Sequence, residues 1–255
     1  MVKLKKMRYK FRTLKKRYLT GLAYLSNKFH KEGIKKTHLE LKKTPYRFDV
    51  LNYILQNFNR ETIYLEIGVR NPEDNFNKII ATNKYSVDPG VENILNPVDY
   101  KVTSDDFFKQ LNNGLVLNKD IKFDVIFIDG LHLAQQVKKD IDNSLKFLKE
   151  DGFIVLHDCN PPTEFHASES YLYRLSPSKD YWNGTTWKAF FNFRKREDYF
   201  SCCIDSDWGI GIISKNINLG NKSVVENPFF EFKIFEKNRK ESLNLISFEE
   251  FKKLI

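Results

Sequence analysis

No apolar run in the chain approaches the roughly 20 residues that cross a bilayer. The N-terminus is broken by lysine and arginine where a secretory leader keeps a compact apolar core. Cysteine is scarce. Cys159, Cys202 and Cys203 are the only three, they form no C-x-x-C pair, and a reducing cytoplasm is the compartment that follows. Cys202 and Cys203 are adjacent and fall on opposite faces of a strand. Glycine is sparse where nucleotide binders need it. "EIGVRNPEDN" holds one glycine, against three in the G-x-G-x-x-G fingerprint, so a nicotinamide oxidoreductase is the weakest candidate. No G-x-x-x-x-G-K-[ST] occurs either, which speaks against phosphate cradling. Internal repeats and low-complexity tracts are absent.

Acidic residues are missing from one place. Residues 1–43 carry 15 Lys and Arg against 2 Glu, whereas the rest of the chain carries 27 against 31. The basicity belongs to an N-terminal helical arm, and the main body is mildly acidic. Such an arm attracts anionic lipid, nucleic acid or a polyanionic glycan, or is simply a solvated basic face. Tyr9, Phe11, Tyr18, Leu19, Leu22, Tyr24 and Leu25 among the charges favour a helix lying on a surface over a free tail.

The body, residues 44–255, is long enough for one full core, and the chain's 22 Phe, all but two of them in the body, argue against disorder. After a turn at Pro45, Phe48, Leu51, Ile54 and Leu55 recur at helical spacing. "TIYLEIGV" reads as a strand, followed by a helix capped by Asn71 with Pro72 at its first position. "KYSVDPG" is a second strand, and "DYKVTSDDFFKQL" predicts a third strand and a helix capped by Ser104 or Asp105. "FDVIFID" and "GFIVLHD" flank a helix over about 134–148. This alternation predicts an α/β fold with a mostly parallel sheet under helices on both faces. Residues 159–183 have no clear period and read as a substrate loop or lid. "GTTWKAFFNFRKR" resumes a helix with a Thr cap, "YFSCCIDSDWGIGIISK" is a hairpin, and "SFEEFKKLI" is a short helix.

Glu66, Asp88, Asp129 and Asp158 all stand at or near strand ends. In an open parallel sheet, ligands bind outside the carboxyl ends of the strands. One such acid is explained as a helix cap. Four at one edge repel each other unless a cation, ligand hydroxyls or amines satisfy them. The edge is therefore the expected active site, suited to sugar hydroxyls and a positive group.

"YLEIGV", "YSVDPG", "TSDDFF", "FDVIFIDGLH", "GFIVLHDCNPP" and "DWGIGII", in this order, resemble a class I S-adenosylmethionine-dependent methyltransferase. The resemblance covers about 48–214 and is nearest to the bacterial small-molecule and glycan O-methyltransferases with I-D-G-x-H and H-D motifs. It implies a Rossmann-like seven-stranded sheet with an antiparallel C-terminal hairpin strand. It implies that Glu66 and Gly68 hold the methionine end of the cofactor, that Asp88 accepts the ribose hydroxyls, and that Ser104 and Asp105 lie by the adenine. Asp129 then sits under the methyl group, His132 is the general base, and a divalent metal such as Mg²⁺ takes Asp129, Asp158 and Asn160. Cys159 stands at the usual third metal position, where a thiol suits Mg²⁺ poorly. Arg70 and Asn71 depart from the usual glycine-rich first loop.

His157 reads as structural, because side chains alternate along a strand and Asp158 is expected to face the site. His166, Tyr171, Tyr173, Trp182 and Trp187 are candidates for an acceptor pocket or for lid packing. The resulting expectation is an O-methyltransferase acting on a hydroxyl of a sugar or surface glycan, cytoplasmic or peripheral at the inner membrane face. Two alternatives stand beside it: a non-catalytic scaffold that keeps the fold, and an RNA methyltransferase guided by the arm. The acidic body speaks against RNA.

Overall fold

The computed structural model of the chain describes residues 2–171 and 175–255. Three helices come first: α1 (Val2–Leu25), α2 (Lys28–Glu40) and α3 (Arg47–Gln56). Then follow β1 (Ile63–Ile67), β2 (Asn83–Val87), α4 (Ser104–Asn112), β3 (Phe123–Ile128), α5 (Ala134–Phe147) and β4 (Leu148–Leu156). After a long connection come α6 (Thr186–Phe193), β5 (Phe200–Ile204) and β6 (Ile210–Ser214). The chain closes with α7 (Phe232–Lys237), α8 (Arg239–Leu243), β7 (Leu245–Ile246) and α9 (Phe248–Phe251).

Among the described residues the strands form one seven-stranded sheet in the order β2-β1-β3-β4-β6-β5-β7. All run parallel except β6, which pairs antiparallel with both β4 and β5. The direction of winding reverses between β1 and β3, which opens a cleft at their carboxyl ends. This is the Rossmann-like α/β architecture expected from the alternating pattern. No helix among the described residues is long and apolar enough to cross a membrane.

Two cores follow from the period-two alternation of the strands. Leu65, Ile67, Ile126, Ile128, Ile154 and Leu156 face one way, onto α4, α5 and α6. Tyr64, Val125, Phe127, Phe153 and Val155 face the other, onto α3 and the C-terminal Phe251. Cys203 belongs to the first core and Cys202 to the second, as their adjacency requires.

Three local expectations are corrected. The helix after Asn71 does not form; the segment turns, with a short 3-10 stretch at Phe76–Lys78. Asn75 takes a non-helical backbone, and its buried amide is drawn to Glu66 Oε2 at 2.8 Å. The strand expected at "DYKV" is reduced to one bridge between Val87 and Tyr100, and the sheet's seventh strand is the C-terminal Leu245–Ile246. The cap of α4 is Thr103, whose hydroxyl accepts from Asp106 N, rather than Ser104 or Asp105.

The basic arm divides at Ser26 and Asn27. Large apolar side chains described on α1 are exposed, whereas α2 buries His30, Gly33, Thr37 and Glu40. Thr37 Oγ1 meets His166 Nε2 at 3.0 Å, and His30 Nε2 lies 3.1 Å from the Leu175 carbonyl. A Cβ on Gly33 would overlap the Pro177 carbonyl, so helix and connection touch at backbone distance. Residues 28–40 are thus bound to the connection of residues 159–185.

That connection is also tied to α5. Leu133, at the N-cap of α5, has no capping side chain, and the free Ala134 N–H is taken by Thr185 Oγ1 at 2.8 Å. Thr185 N in turn donates to the His132 carbonyl at 2.7 Å. Thr185→Ala should cost about 1 kcal/mol, the usual effect of losing a helix cap. Urea unfolding of the two proteins checks this; an unchanged midpoint would show that the cap is dispensable.

Candidate active site

Alternation beyond the strand ends decides what faces the cleft. Glu66 stands two residues after Tyr64, Asp129 two after Phe127, and His157 two after Val155, so all three project on the α3 side of the sheet. The ladder continues past the strands, with Asp129 N bonded to the Ile67 carbonyl and His157 N to the Ile128 carbonyl. Asp158 should then point away. It does not, because its backbone is left-handed (φ 61°), which swings its carboxylate back beside His157. The left-handed region is uncommon for a non-glycine residue, and Asp is among those that tolerate it best.

Four side chains therefore share one volume. His132 Nε2 lies 3.3 Å from Asp129 Oδ1, and its Nδ1 lies 3.2 Å from Asp158 Oδ2 and 3.1 Å from the Trp182 carbonyl. His157 Nδ1 lies 3.2 Å from both Asp129 Oδ1 and Asp158 Oδ2. Its Nε2 is 3.3 Å from Asp207 Oδ1. Arg47, from the first turn of α3, reaches in with Nε 3.8 Å from Asp129 Oδ2 and Nη1 3.5 Å from Asp207 Oδ2. Asn183 Nδ2 donates to Asp158 Oδ1 at 2.6 Å.

The electrostatics follow from this packing. Burial alone would push His132 down, but the Asp158 and Asp129 carboxylates override it and hold the imidazole up at about 9. His157 is likewise held well above its ordinary value, against burial, by Asp129 and Asp158. Asp129 lies well below the usual carboxylate range, because His157, His132 and Arg47 outweigh its burial. Asp207 is brought to about 2, burial being outweighed by His157 and Arg47. The carboxylates thus draw both imidazoles toward their charged forms, while Arg47 Nη1, 3.1 Å from His157 Nε2, opposes this at His157.

The other half of the cleft is a wall of strand ends. Glu66 is 2 % exposed and is pushed up to about 7 by burial, against hydrogen bonds from Tyr64 at 2.6 Å and Asn75. Its Oε1 takes no hydrogen bond among the described residues. Gly68 (φ 93°) is required by the neighbouring strand, since a Cβ there would overlap the Asp129 carbonyl. Asp88 uses Oδ1 to accept from Gly90 N at 2.6 Å. Ser104 and Asp105 approach from α4 and are tied to Gln136 of α5 at 3.1 and 3.0 Å.

Glu66, Gly68, Asp88, Ser104, Asp105, Asp129, His132 and Asp158 all line one cavity of about 710 Å³. That is within the range of small-molecule sites. Asn160 does not join them. Its amide donates to Asp205 and accepts from Arg239, so it is taken up in a separate polar contact. The amide beside the acids is Asn183. Cys159 is buried in the first core, its Sγ nearest the Leu156 and His157 carbonyls. His157, read as structural from alternation, lines the cavity. Arg47, Asp207 and Asn183 carried no sequence signal, since they come from three distant segments.

Of the aromatic candidates, Tyr171 and Trp182 line the cavity, joined by Tyr181 and Trp208. Trp182 stacks on His132, with centroids 5.3 Å apart and planes 24° from parallel. Trp187 is core, and His166 is fully buried between Thr37 and Thr163. Tyr173 lies outside the described residues.

Asp129, His132 and Asp158 offer ligand atoms all within 4.8 Å of one another, a spacing that a divalent cation can bridge. Two carboxylates with an imidazole form a mixed oxygen and nitrogen set, which suits Mn²⁺, Fe²⁺ or Zn²⁺ better than the all-oxygen preference of Mg²⁺.

Residues 52–159 match the family described as "Methyltransferase domain". No curated protein matches the chain. Similar solved structures include an O-methyltransferase from Bacillus cereus in complex with SAH, 14% identical with a TM-score of 0.42, covering 77% of this chain and 94% of its own. An SAH-bound methyltransferase from Podospora anserina is 12% identical with a TM-score of 0.44, covering 79% and 96%. The O-methyltransferase TomG from Streptomyces achromogenes, in complex with SAM, is 9% identical with a TM-score of 0.43, covering 78% and 94%.

The charge cluster predicts how stability depends on pH. His132 titrates near 6.5 when unfolded and about 9 when folded, so its contribution is complete below 6.5 and is lost as pH rises toward 9. Asp207 acts in the opposite sense, losing its contribution as pH falls from 3.8 toward 2. In chelator-treated buffer the free energy of unfolding should fall between about pH 6.5 and 9, and His132→Gln should flatten part of that fall. Denaturant titrations at stepped pH check it; parallel curves for the two proteins would refute the charged state assigned to His132.

Proposed function

We propose that this chain, whose residues 52–159 carry a methyltransferase domain, is an S-adenosylmethionine-dependent O-methyltransferase acting on a hydroxyl of a sugar or glycan. The observation that carries the reading is the convergence, in one cavity, of the cofactor-side acids with the His132 cluster. Bound S-adenosylmethionine supplies an electrophilic methyl on its sulfonium. The residues present suit it. Glu66 keeps one carboxylate oxygen unpaired for an amine, Asp88 keeps Oδ2 for ribose hydroxyls, and Ser104 and Asp105 flank the place left for a base.

In this reading His132 removes the acceptor's hydroxyl proton at Nε2. Asp158 and the Trp182 carbonyl orient the ring through Nδ1. An imidazole in the neutral form is needed for that task, whereas the two carboxylates hold it charged near neutral pH. A divalent cation on Asp129 and Asp158, with Asn183 rather than Asn160 as the nearby amide, would neutralise those carboxylates and let His132 lose its proton. Proximity and alignment supply much of the remaining acceleration. The cation is part of the proposal, and with His132 kept free as the base the carboxylate and amide oxygens suit Mg²⁺ or Mn²⁺.

The acceptor class rests on Trp182, Tyr171, Tyr181 and Trp208, whose ring faces suit the C–H faces of a sugar. The loop that carries the first three, residues 159–183, acts as a lid, and Trp208 stands on the β5–β6 turn. A cytoplasmic enzyme meeting a surface-bound glycan at a membrane fits the basic N-terminal helix. RNA is disfavoured by the net acidic body.

Calorimetric titration with S-adenosylhomocysteine should give micromolar binding that Asp88→Ala weakens at least about tenfold, the effect of losing a charge-assisted hydrogen bond. With a hydroxylated acceptor, His132→Ala should lower kcat by about 10²–10⁴ and leave S-adenosylhomocysteine affinity within about threefold. Absence of heat and of any thermal shift, with and without Mn²⁺, would sink the methyltransferase reading. Tight binding with no turnover on a broad acceptor panel would instead favour a non-catalytic scaffold.

A further inference from the structure

Helix α1 has a second periodicity that the fold does not use. Phe11, Leu14, Tyr18, Leu22 and Leu25 are spaced by three, four, four and three residues, so they fall on one stripe of the helix. They are 70, 68, 66, 48 and 54 % exposed. No other part of the described chain covers this stripe. The only charged residues beside it are bases: residues 2–25 hold nine Lys and Arg and no acid. Among the described residues, Lys10, Arg12, Lys15, Lys16 and Arg17 make no ion pair with the rest of the chain. In the next helix, by contrast, Lys36 is paired with Glu32 and Glu236.

We infer that α1 docks in the plane of an anionic phospholipid bilayer, with the stripe in the headgroup–acyl boundary and the flanking bases on lipid phosphates. Three occupants compete for such a face, and charge separates them. A second copy of α1 packed along the stripe would set nine bases against nine, with no acid on either helix to offset them. Nucleic acid would satisfy the bases but leave five large apolar side chains in water. An anionic bilayer satisfies both at once, and the pairing of an apolar stripe with a polybasic flank is what gives stable interfacial binding.

The helix is not a loose tether. Tyr24 packs edge-on against His30, with centroids 4.6 Å apart, and only Ser26 and Asn27 separate α1 from α2. Through the Thr37–His166 and His30–Leu175 contacts, α2 is bound to the connection that carries Tyr181 and Trp182 into the cavity. Docking α1 therefore fixes the mouth-side loop relative to the lipid surface. This extends the reading of a surface-bound acceptor by naming the surface, while the docking itself stands without that reading.

The test is co-sedimentation of the full chain with phosphatidylglycerol–phosphatidylcholine vesicles against pure phosphatidylcholine vesicles. Binding to the anionic vesicles should be at least about tenfold tighter and should weaken as salt is raised. Leu14→Asp with Tyr18→Asp, both exposed and outside the cavity, should abolish it while S-adenosylhomocysteine titration is unchanged. No preference for anionic vesicles, or equal binding by the double variant, overturns the inference. A concentration-dependent dimer abolished by the same variant would assign the stripe to a second copy and overturn it as well. Loss of cofactor binding in the parent chain, with vesicle binding intact, would sink the methyltransferase reading alone.

Discussion

Asp129 and Asp158 are brought within reach of His132 and His157 at the largely buried end of the sheet, where water screens their charge less than at the surface. Buried charges are stable only when each is paired and hydrogen-bonded. Much of the surrounding structure is organised by that requirement. Arg47 enters from α3, Asp207 from the β5–β6 turn and Asn183 from the long connection, each supplying a partner that the neighbouring strands do not. Segments more than a hundred residues apart in sequence are thus joined by electrostatics at the end of the sheet. The parallel ladder delivers Asp129 and His157, and the charges then recruit the rest.

The same arrangement defines two states of the site. With no positive ligand, the carboxylates hold His132 up at about 9, which would leave it a poor base for the proposed step. A cation at the carboxylates would compete for the same negative charge and favour loss of an imidazole proton. Glu66, at the other wall, behaves in a related way: burial holds it up to about 7, so an arriving amine would favour its ionised form. Both ends of the cavity are thus poised to accept positive charge. A sulfonium carrying an ammonium group, or a divalent cation, is complementary to these acids.

Legibility in the sequence followed the range of the interactions. The strands from Ile63, Asn83, Phe123 and Gly152 onward were readable because a buried parallel strand is a short apolar run, and Asp129 and His132 were readable from their place at such an end. Local rules failed where a distant partner overrode them. Pro72 and Asn71 promise a helix, but Asn75 is bound to buried Glu66 and the helix is lost. Alternation lets only one of His157 and Asp158 face the site, yet the left-handed backbone of Asp158 brings its carboxylate in beside His157. A Thr before Thr186 reads as a cap for its own helix, but its hydroxyl caps α5 instead. Arg47 and Asn183 had no signal at all, because nothing near them in sequence reports what they meet.

The N-terminal segment shows the limit of composition most clearly. Its charge imbalance set it apart as a single arm, yet the two helices in it answer to different surfaces. In α2, Gly33 and Thr37 lie on the face that meets Pro177 and His166, so that helix is part of the wall behind the cavity loop. In α1 the equivalent face is Leu, Phe and Tyr, too large and too far from any core to be buried by this chain. Small residues allow backbone contact and large ones demand a deep apolar medium, so side-chain size, rather than charge, separates the helix that closes the fold from the one that faces outward. A helix joined at one end to α2, which itself meets the cavity loop, and exposed along its described stripe transmits position. Whatever surface covers the stripe also sets where the mouth of the cavity stands.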